Sequence, residues 1–343
     1  MKKLLALLLT LLMVISFVGC STQAKEETLE TKEVTTSSEE ATDKQDNYYP
    51  ISFNNYNYAK EEIEQTVNKA PERVVVVYQN SIETLLALGL GDKIVGAAGL
   101  DHEIKPELAD DFANLNYYEE GISKEEIMGL NPDMIVSWSS FFSDKKLGEV
   151  DFWHDRDVNT FIMSNSGVRK DRMLEHEYTD IRTLGQIFNV EEKAEKIIND
   201  IKAEIAKGKE FAKGKDPVKA VVLQLRKDGT FRIYGEDSVG GDMATQLGAN
   251  LLAKDSGNIG AEDLASLNPD VIFTVYYSYF GGSVEMEDAI GKITGHEGLQ
   301  SVSAVENQRV LPVKLGEVYC SGIRTMDGVK TMLKGLYPDE YND

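Results

Sequence analysis

The sequence contains little cysteine. Its 343 residues include two cysteines, Cys20 and Cys320. Cys20 falls at the end of a predicted export signal, described below, which leaves Cys320 without a partner for an internal disulfide. The folded part of the chain must therefore be stabilised by burial of apolar surface.

Basic residues are also scarce relative to acidic ones. The chain has 36 lysines and arginines against 58 aspartates and glutamates, which gives a formal net charge of −22. Binding to nucleic acid requires a basic surface, so nucleic acid is excluded as an expected partner. The four histidines are scattered, and no two have the spacing of a metal pair on one helix face. We therefore expect neither a resident cofactor nor a protein-bound metal. The histidines are His102, His154, His176 and His296.

Motifs of the common exported hydrolases are missing. The sequence has no Gly-x-Ser-x-Gly, no His-Glu-x-x-His and no Gly-Lys-Ser/Thr phosphate loop. Carboxylates are plentiful but follow no pattern that defines an acid and base pair. An exported envelope hydrolase therefore remains only a weakly supported alternative, and we expect no enzyme.

One long apolar run is present, at the N-terminus. Lys2 and Lys3 precede the apolar residues 4–18, and Gly19 and Cys20 follow. A basic flank, a run short for a membrane span and a small residue predict an export signal over residues 1–19. Cys20 occupies the position at which a bacterial lipoprotein is cut and acylated. Phe17 stands where such signals usually have leucine. We expect a lipid anchor on the outer face of the cytoplasmic membrane.

Residues 20–47 are rich in Thr, Ser, Glu and Lys and have almost no large apolar side chains. Such a segment gains too little from burial to offset its ordering entropy, so it is predicted to be a flexible tether. Residues 48–70 are rich in Tyr and Asn and are predicted to hold a strand or hairpin.

The remaining sequence alternates between strand and helix patterns. Residues 73–78 form a β-branched run typical of a strand buried on both faces, and a helix with Ser81 as its N-cap follows. Residues 190–213 have apolar residues at helical spacing. The fold class predicted is α/β, with an N-terminal lobe over residues 48–189, one long helix over 190–213 and a C-terminal lobe over 214–343.

A repeated segment links the two predicted lobes. Residues 122–136 and residues 259–273 each contain an acidic helix start, a short helix, the sequence Leu-Asn-Pro-Asp and an apolar strand. Proline cannot continue the helix and favours extended geometry at the residue before it. The repeat predicts two similar lobes with a ligand cleft between them, and it places Glu125 and Glu262 at matching positions.

The order of these segments resembles a known family. Pro71-Glu-Arg-Val-Val, the stretch Leu-Ala-Leu-Gly-Leu-Gly-Asp-Lys-Ile-Val-Gly at residues 86–96 and the doubled Leu-Asn-Pro-Asp are similar to the substrate-binding lipoproteins of ABC importers for iron-siderophore complexes and cobalamin. The resemblance implies two Rossmann-like lobes with central sheets, one rigid backbone helix and a monomer. It also implies delivery of a cargo to a membrane permease and its ATPase.

The same resemblance suggests roles for two glutamates. In the family, one glutamate on each lobe docks onto basic residues of the permease, and here these correspond to Glu125 and Glu262. A carboxylate in the first turn of a helix is favoured by the helix dipole and steers a basic partner. The alternative is that both residues only support the helix start, with Ser123 and Glu126 forming a capping box.

Candidate cargo contacts lie where predicted strands end, which is where such layered folds bind ligands. Aromatic side chains offer flat area for a bulky chelate, and arginines pair with its anionic groups. Arg172 and Arg226 belong to the same set of basic candidates, and Cys320 is expected to be a small buried residue. The predicted contacts are Tyr78, Asn80, Trp138, Phe141, Arg169, Arg232, Tyr276, Tyr279 and Arg324.

The sequence favours a ferric siderophore complex as the cargo, with the chelator already filling the coordination sphere of the iron. Cobalamin and haem remain alternatives for the same role, and haem would need a Tyr or His as axial ligand. A surface adhesion module is a further possibility, but it has no evident use for the repeated lobes.

Overall fold

The computed structural model describes residues 48–279 and 282–341. The predicted signal, the tether and the lipidation site Cys20 lie outside the described residues. Within this part of the chain, no helix is both long and apolar enough to cross a membrane.

Strands and helices alternate along most of the chain, as the sequence predicts. The strands are β1 Ile51–Tyr56, β2 Glu62–Val67, β3 Val74–Val77, β4 Ile94–Ala98, β5 Tyr117–Tyr118, β6 Met134–Ser137, β7 Asn159–Ile162, β8 Lys219–Leu225, β9 Phe231–Ile233, β10 Asn250–Leu251, β11 Gly257–Ile259, β12 Val271–Tyr279, β13 Gly282–Val284 and β14 Val310–Lys314. The helices are α1 Gln79–Ala87, α2 Ala109–Ala113, α3 Lys124–Leu130, α4 Val150–His154, α5 Leu174–Ile187, α6 Glu191–Ala212, α7 Val239–Gln246, α8 Ala261–Leu267, α9 Met286–Thr294, α10 Ser303–Glu306, α11 Leu315–Val318 and α12 Thr325–Leu336.

The N-terminal lobe is built on a parallel sheet. Its five described strands lie in the order β5, β4, β3, β6, β7. The antiparallel hairpin β1–β2 covers the edge strand β7. The amide of Asn55 pairs with the backbone of Ile162, and the amide of Gln65 pairs with that of Thr160. These side chains satisfy backbone groups that an open edge would expose to another chain.

The C-terminal lobe has a mixed sheet. Strand β12 lies between the parallel strands β8 and β14, while β9, β11 and β13 pair antiparallel to their neighbours. The C-terminal sheet therefore differs from the parallel sheet of the N-terminal lobe. The turn from β8 to β9 contains Asp228 and Gly229, and Gly229 has a φ of 82°. An Asp-Gly pair between two apolar runs is a hairpin signal, and it makes the following strand antiparallel.

Helix α6 runs between the two lobes and packs against α5 and α12. Ala194, Ile198, Ile201 and Ile205 form its buried face. The largest apolar cluster extends along this helix and includes Val76 of β3 as well as Phe273 of β12, so both lobes share it. Each lobe also has a separate apolar cluster on the far face of its sheet. The α/β fold class with two sheets and a long connecting helix is confirmed.

Candidate ligand site

The site begins where strand β3 ends, at Tyr78. This residue has a φ of 88°, which is strained for a residue with a side chain. Its N–H donates to the carbonyl of Ala98 at 2.8 Å, and its own carbonyl accepts from Ile82 at 3.1 Å. Helix α1 consequently begins at Gln79 with Tyr78 at the N-cap position, three residues before the predicted N-cap Ser81, which is a buried residue inside the helix. The strained backbone turns the Tyr78 ring towards the end of β6.

Three aromatic rings form a stack that crosses between the lobes. The Tyr78 and Trp138 ring centroids are 3.6 Å apart, and those of Trp138 and Tyr319 are 5.6 Å apart. Phe141 adds a ring whose centroid is 5.8 Å from that of Tyr78. Tyr319 follows α11 in the C-terminal lobe, whereas the other rings belong to the N-terminal lobe. We call Tyr78, Trp138 and Tyr319 the aromatic stack.

Asn80 lies behind the aromatic stack. It is 3% exposed, its Oδ1 accepts from Trp138 Nε1 at 2.6 Å, and its Nδ2 lies 3.2 Å from the Cys320 sulfur. Cys320 is buried, as the sequence predicts for an unpaired cysteine. Asn80 therefore orients the indole of Trp138 instead of presenting its own amide to an open cleft.

Two arginines border the Tyr319 side of the aromatic stack. The guanidinium carbons of Arg172 and Arg232 lie 4.7 Å and 5.4 Å from the Tyr319 ring centroid. Both approach within the range of cation–π attraction. The buried Nε of Arg172 has no hydrogen-bond partner within the described residues. Arg169 instead donates to the Tyr56 hydroxyl at 2.6 Å and is not part of this group.

Arg324 has a different environment from the one predicted. It is 3% exposed and its Nε and Nη2 donate to the two carboxylate oxygens of Glu83 at 2.5 Å and 2.7 Å. Nη2 also donates to the Glu103 carbonyl at 2.7 Å. Because these partners occupy the guanidinium, the geometry makes Arg324 part of a buried ion pair between the lobes, and we leave it out of the proposed cargo contacts.

Tyr276 meets His102 across the cleft, with ring centroids 5.9 Å apart. Burial raises the pKa of the Tyr276 hydroxyl. Burial, together with the charges of Arg324 and Lys314, lowers the pKa of His102 to about 4. The side chain of Tyr279, the remaining predicted aromatic contact, lies outside the described residues.

The environment of His102 predicts a pH-dependent stability. Its pKa falls from 6.5 to about 4 on folding, so between these values the unfolded chain binds a proton that the folded chain does not. Stability from this group therefore rises with pH across that window. The increase in urea midpoint from pH 4.5 to pH 7 should be larger for the wild type than for His102→Gln. Equal increases in the urea midpoint of the two proteins would contradict the assignment of this pH dependence to His102.

Open space for a ligand lies on the N-terminal side of the aromatic stack. A cavity of about 670 Å³, called the main cavity here, is bordered by Tyr78, Trp138 and Phe141. Asp101, which also borders it, is 4% exposed. Burial raises the pKa of Asp101 to about 6, although a hydrogen bond with Tyr78 and the charge of Arg324 lower it. A separate space of about 10 Å³ lies beside the stack and is bordered by Asn80 and Cys320.

The two copies of the repeat fold alike. Glu125 and Glu262 both occupy the second position of their helices, α3 and α8, and both are exposed. The helices end at Asn131 and Asn268, whose φ angles are 48° and 44°. The left-handed asparagine explains why Leu-Asn-Pro-Asp stops a helix twice.

The aspartate of each copy then fixes the next strand. Asp133 accepts from the backbone N–H of Arg73, and Asp270 accepts from that of Lys219, each at 3.0 Å. These contacts tie the repeat to the starts of β3 and β8, the equivalent strands of the two sheets.

The residues that follow the two exposed glutamates, Glu126 and Asp263, cap the starts of α3 and α8. Glu126 accepts from the backbone of Ser123 at 2.8 Å, and Asp263 accepts from that of Gly260 at 3.0 Å. The predicted capping box of Ser123 and Glu126 is present. Because Glu126 and Asp263 serve the helix starts, the carboxylates of Glu125 and Glu262 are not needed for capping.

Two α/β lobes joined by one long helix, with an aromatic stack that crosses between them, have the architecture of a solute-binding protein. The family model described as periplasmic binding protein matches residues 74–314, and the chain belongs to this family. It is therefore not an enzyme, and the resemblance drawn from the sequence is confirmed.

Known proteins of this kind resemble the chain over most of its length. It is 25% identical over 286 residues to the uncharacterized ABC transporter substrate-binding lipoprotein YvrC of Bacillus subtilis, covering 81% of this chain and 84% of that protein. It is 26% identical over 267 residues to the petrobactin-binding protein YclQ of Bacillus subtilis, covering 75% and 78%. A periplasmic binding protein structure from Veillonella parvula shares 32% identity with a TM-score of 0.77, covering 84% of this chain and 92% of that one.

Proposed function

We propose that this chain captures a ferric siderophore complex outside the cell and delivers it to the permease of an ABC importer. The observation that carries the proposal is the aromatic stack, which spans both lobes and has Arg172 and Arg232 beside it. Flat rings suit a bulky chelate, and guanidinium groups suit its anionic oxygens. The relative that binds petrobactin supports this kind of cargo.

The metal in this proposal belongs to the cargo. Within residues 48–279 and 282–341, no group of three or more His, Cys, Asp or Glu side chains is placed to hold a metal ion. The chelator would supply the ligands of the iron, while the protein supplies rings and cations around the chelate. Trp138 borders the main cavity, and Tyr319 lies against Trp138 on the side of Arg172 and Arg232.

Delivery completes the proposed function. Acylation of Cys20 would hold the chain on the outer face of the cytoplasmic membrane, where the tether confines it near the permease and raises its local concentration. Glu125 and Glu262 would meet basic residues of the permease, and the associated ATPase would supply the energy. The chain itself contains no nucleotide-binding motif.

Titration of the purified chain with a cargo panel tests the proposal. The panel is a ferric tricatecholate, a ferric trihydroxamate, ferric citrate, cyanocobalamin and haemin, followed by calorimetry and tryptophan fluorescence. We expect one ferric siderophore to bind with quenching of Trp138, since this indole is part of the stack. Binding of cyanocobalamin or haemin, and of no ferric chelate, would contradict the proposed cargo.

Arginine variants test which side chains recognise the cargo. Arg172→Gln and Arg232→Gln should each weaken binding of the ferric chelate roughly 10- to 100-fold, as expected for loss of a charge-assisted hydrogen bond. Arg156→Gln is the matched control, because Arg156 is exposed and lies over Phe152, outside the aromatic stack. Equal affinities for all three variants would remove both arginines from the site.

A further inference from the structure

The start of helix α3 forms part of the wall of the main cavity. This wall places one of the two predicted docking residues next to the predicted cargo site. The cavity that borders Tyr78 and Trp138 extends along residues 120–125 and includes Glu125. The main cavity does not reach Glu262, which lies at the equivalent position of α8. The two glutamates match in the repeat but differ in what lies beside them.

The start of α3 lies against the segment of residues 144–152. Lys124, which precedes Glu125, lies 4.9 Å above the Phe152 ring and 3.5 Å from the carboxylate of Asp144. Lys146, from the same 144–152 segment, lies 4.3 Å above the Phe141 ring. Lys146 and Phe141 also border the cavity. The start of α3 and this segment therefore enclose the space next to the stack together.

We propose that Glu125 acts on both partners, so that its charge is felt by whatever occupies the main cavity, whereas Glu262 serves docking alone. This inference rests on the proposed function. A basic permease residue that pairs with Glu125 would cancel a negative charge at the cavity wall. Such neutralisation strengthens the binding of an anionic cargo and weakens that of a cationic one. By linkage, the bound cargo changes the affinity of the chain for the permease by the same factor as the permease changes its affinity for the cargo.

The charge at the cavity wall is measurable without knowing the cargo. Trp138 is partly exposed and borders the main cavity, while Trp153 is 1% exposed and donates to the Leu147 carbonyl in the core. Quenching by iodide or caesium ions in the full chain therefore reports on Trp138. Trp138→Phe gives the residual signal of Trp153 for subtraction, and acrylamide, which is neutral, reports steric access alone.

At low ionic strength, Glu125→Gln should raise the iodide quenching constant and lower the caesium constant, each roughly 1.5- to 3-fold. Glu262→Gln, which removes the same charge from the matching position, should leave both constants unchanged, and acrylamide quenching should be equal in all three proteins. Unchanged ion quenching in Glu125→Gln would overturn the proposal. Equal shifts in the two variants would also overturn it, because they would reflect net charge alone.

Cargo binding then separates this inference from the proposed function. If a ferric tricatecholate binds, Glu125→Gln should change its dissociation constant roughly two- to fivefold in the direction set by the charge of the chelate. Glu262→Gln should leave this dissociation constant unchanged. If no chelate in the panel binds, the proposed function fails while the ion-quenching result for Glu125 stands on its own.

Discussion

Replacing Glu83 by glutamine should lower the free energy of unfolding by about 3–5 kcal/mol, the usual cost of removing one partner from a buried ion pair. Glu83 is fully buried and Arg324 is 3% exposed, so the substitution leaves a cation without its counter-charge inside the protein. Glu83 also accepts from Gln79 Nε2 at 2.9 Å and from the backbone N–H of Lys105 at 3.1 Å. Urea unfolding followed by circular dichroism measures the loss.

An exposed ion pair provides the matched control. Glu72 and Lys93 are 2.7 Å apart and remain partly exposed, so Glu72→Gln should cost less than about 1 kcal/mol. Replacing Glu83 and Arg324 together by leucine should recover most of the stability lost in Glu83→Gln, since no isolated charge then remains. The assignment fails if Glu83→Gln and Glu72→Gln are equally stable.

Reversing the charge at both Glu125 and Glu262 should nearly abolish cargo uptake by cells that depend on this chain. If Glu125 and Glu262 dock as proposed, each reversal turns attraction to a basic permease residue into repulsion, and like charges facing each other across an interface cost several kcal/mol. The single variants Glu125→Lys and Glu262→Lys should each retain intermediate uptake. Uptake of the radiolabelled ferric chelate identified by titration is the measurement.

The controls separate docking from cargo binding. Glu306→Lys changes an exposed glutamate at the end of α10, outside the repeat helices, and should leave uptake at the wild-type level. The affinity of Glu262→Lys for the chelate should equal that of the wild type, whereas Glu125→Lys should differ a few-fold. Normal uptake by the double variant would exclude these residues as the docking contacts.

Elements with continuous apolar runs were predictable from the sequence. The buried valines of β3 and the buried face of α6 follow directly from the β-branched run and the helical spacing. The predicted start of α1 was wrong because no local pattern shows that Tyr78 adopts a positive φ. That backbone angle is imposed by contacts with residues distant in the chain, such as the hydrogen bond to Ala98.

The candidate site was only partly predictable, for a similar reason. Strand ends indicated Tyr78 and Trp138, and the structure places these rings against each other. The sequence does not single out Tyr319 as a contact, because its partner ring, Trp138, is remote in sequence. Arg324 was selected on its position alone, and the sequence could not show that Glu83 neutralises it.

By itself, the sequence determined the α/β class, the helix ends at the two Leu-Asn-Pro-Asp segments and the matching positions of Glu125 and Glu262. Each of these depends on local backbone preference or on spacing within a few residues. Only the tertiary structure decided that Tyr319 meets Trp138 and that Arg324 meets Glu83. It also decided that Glu125 borders the main cavity. These contacts join residues from separate lobes or separate strands, and their energies depend on burial and distance, which the order of residues does not specify.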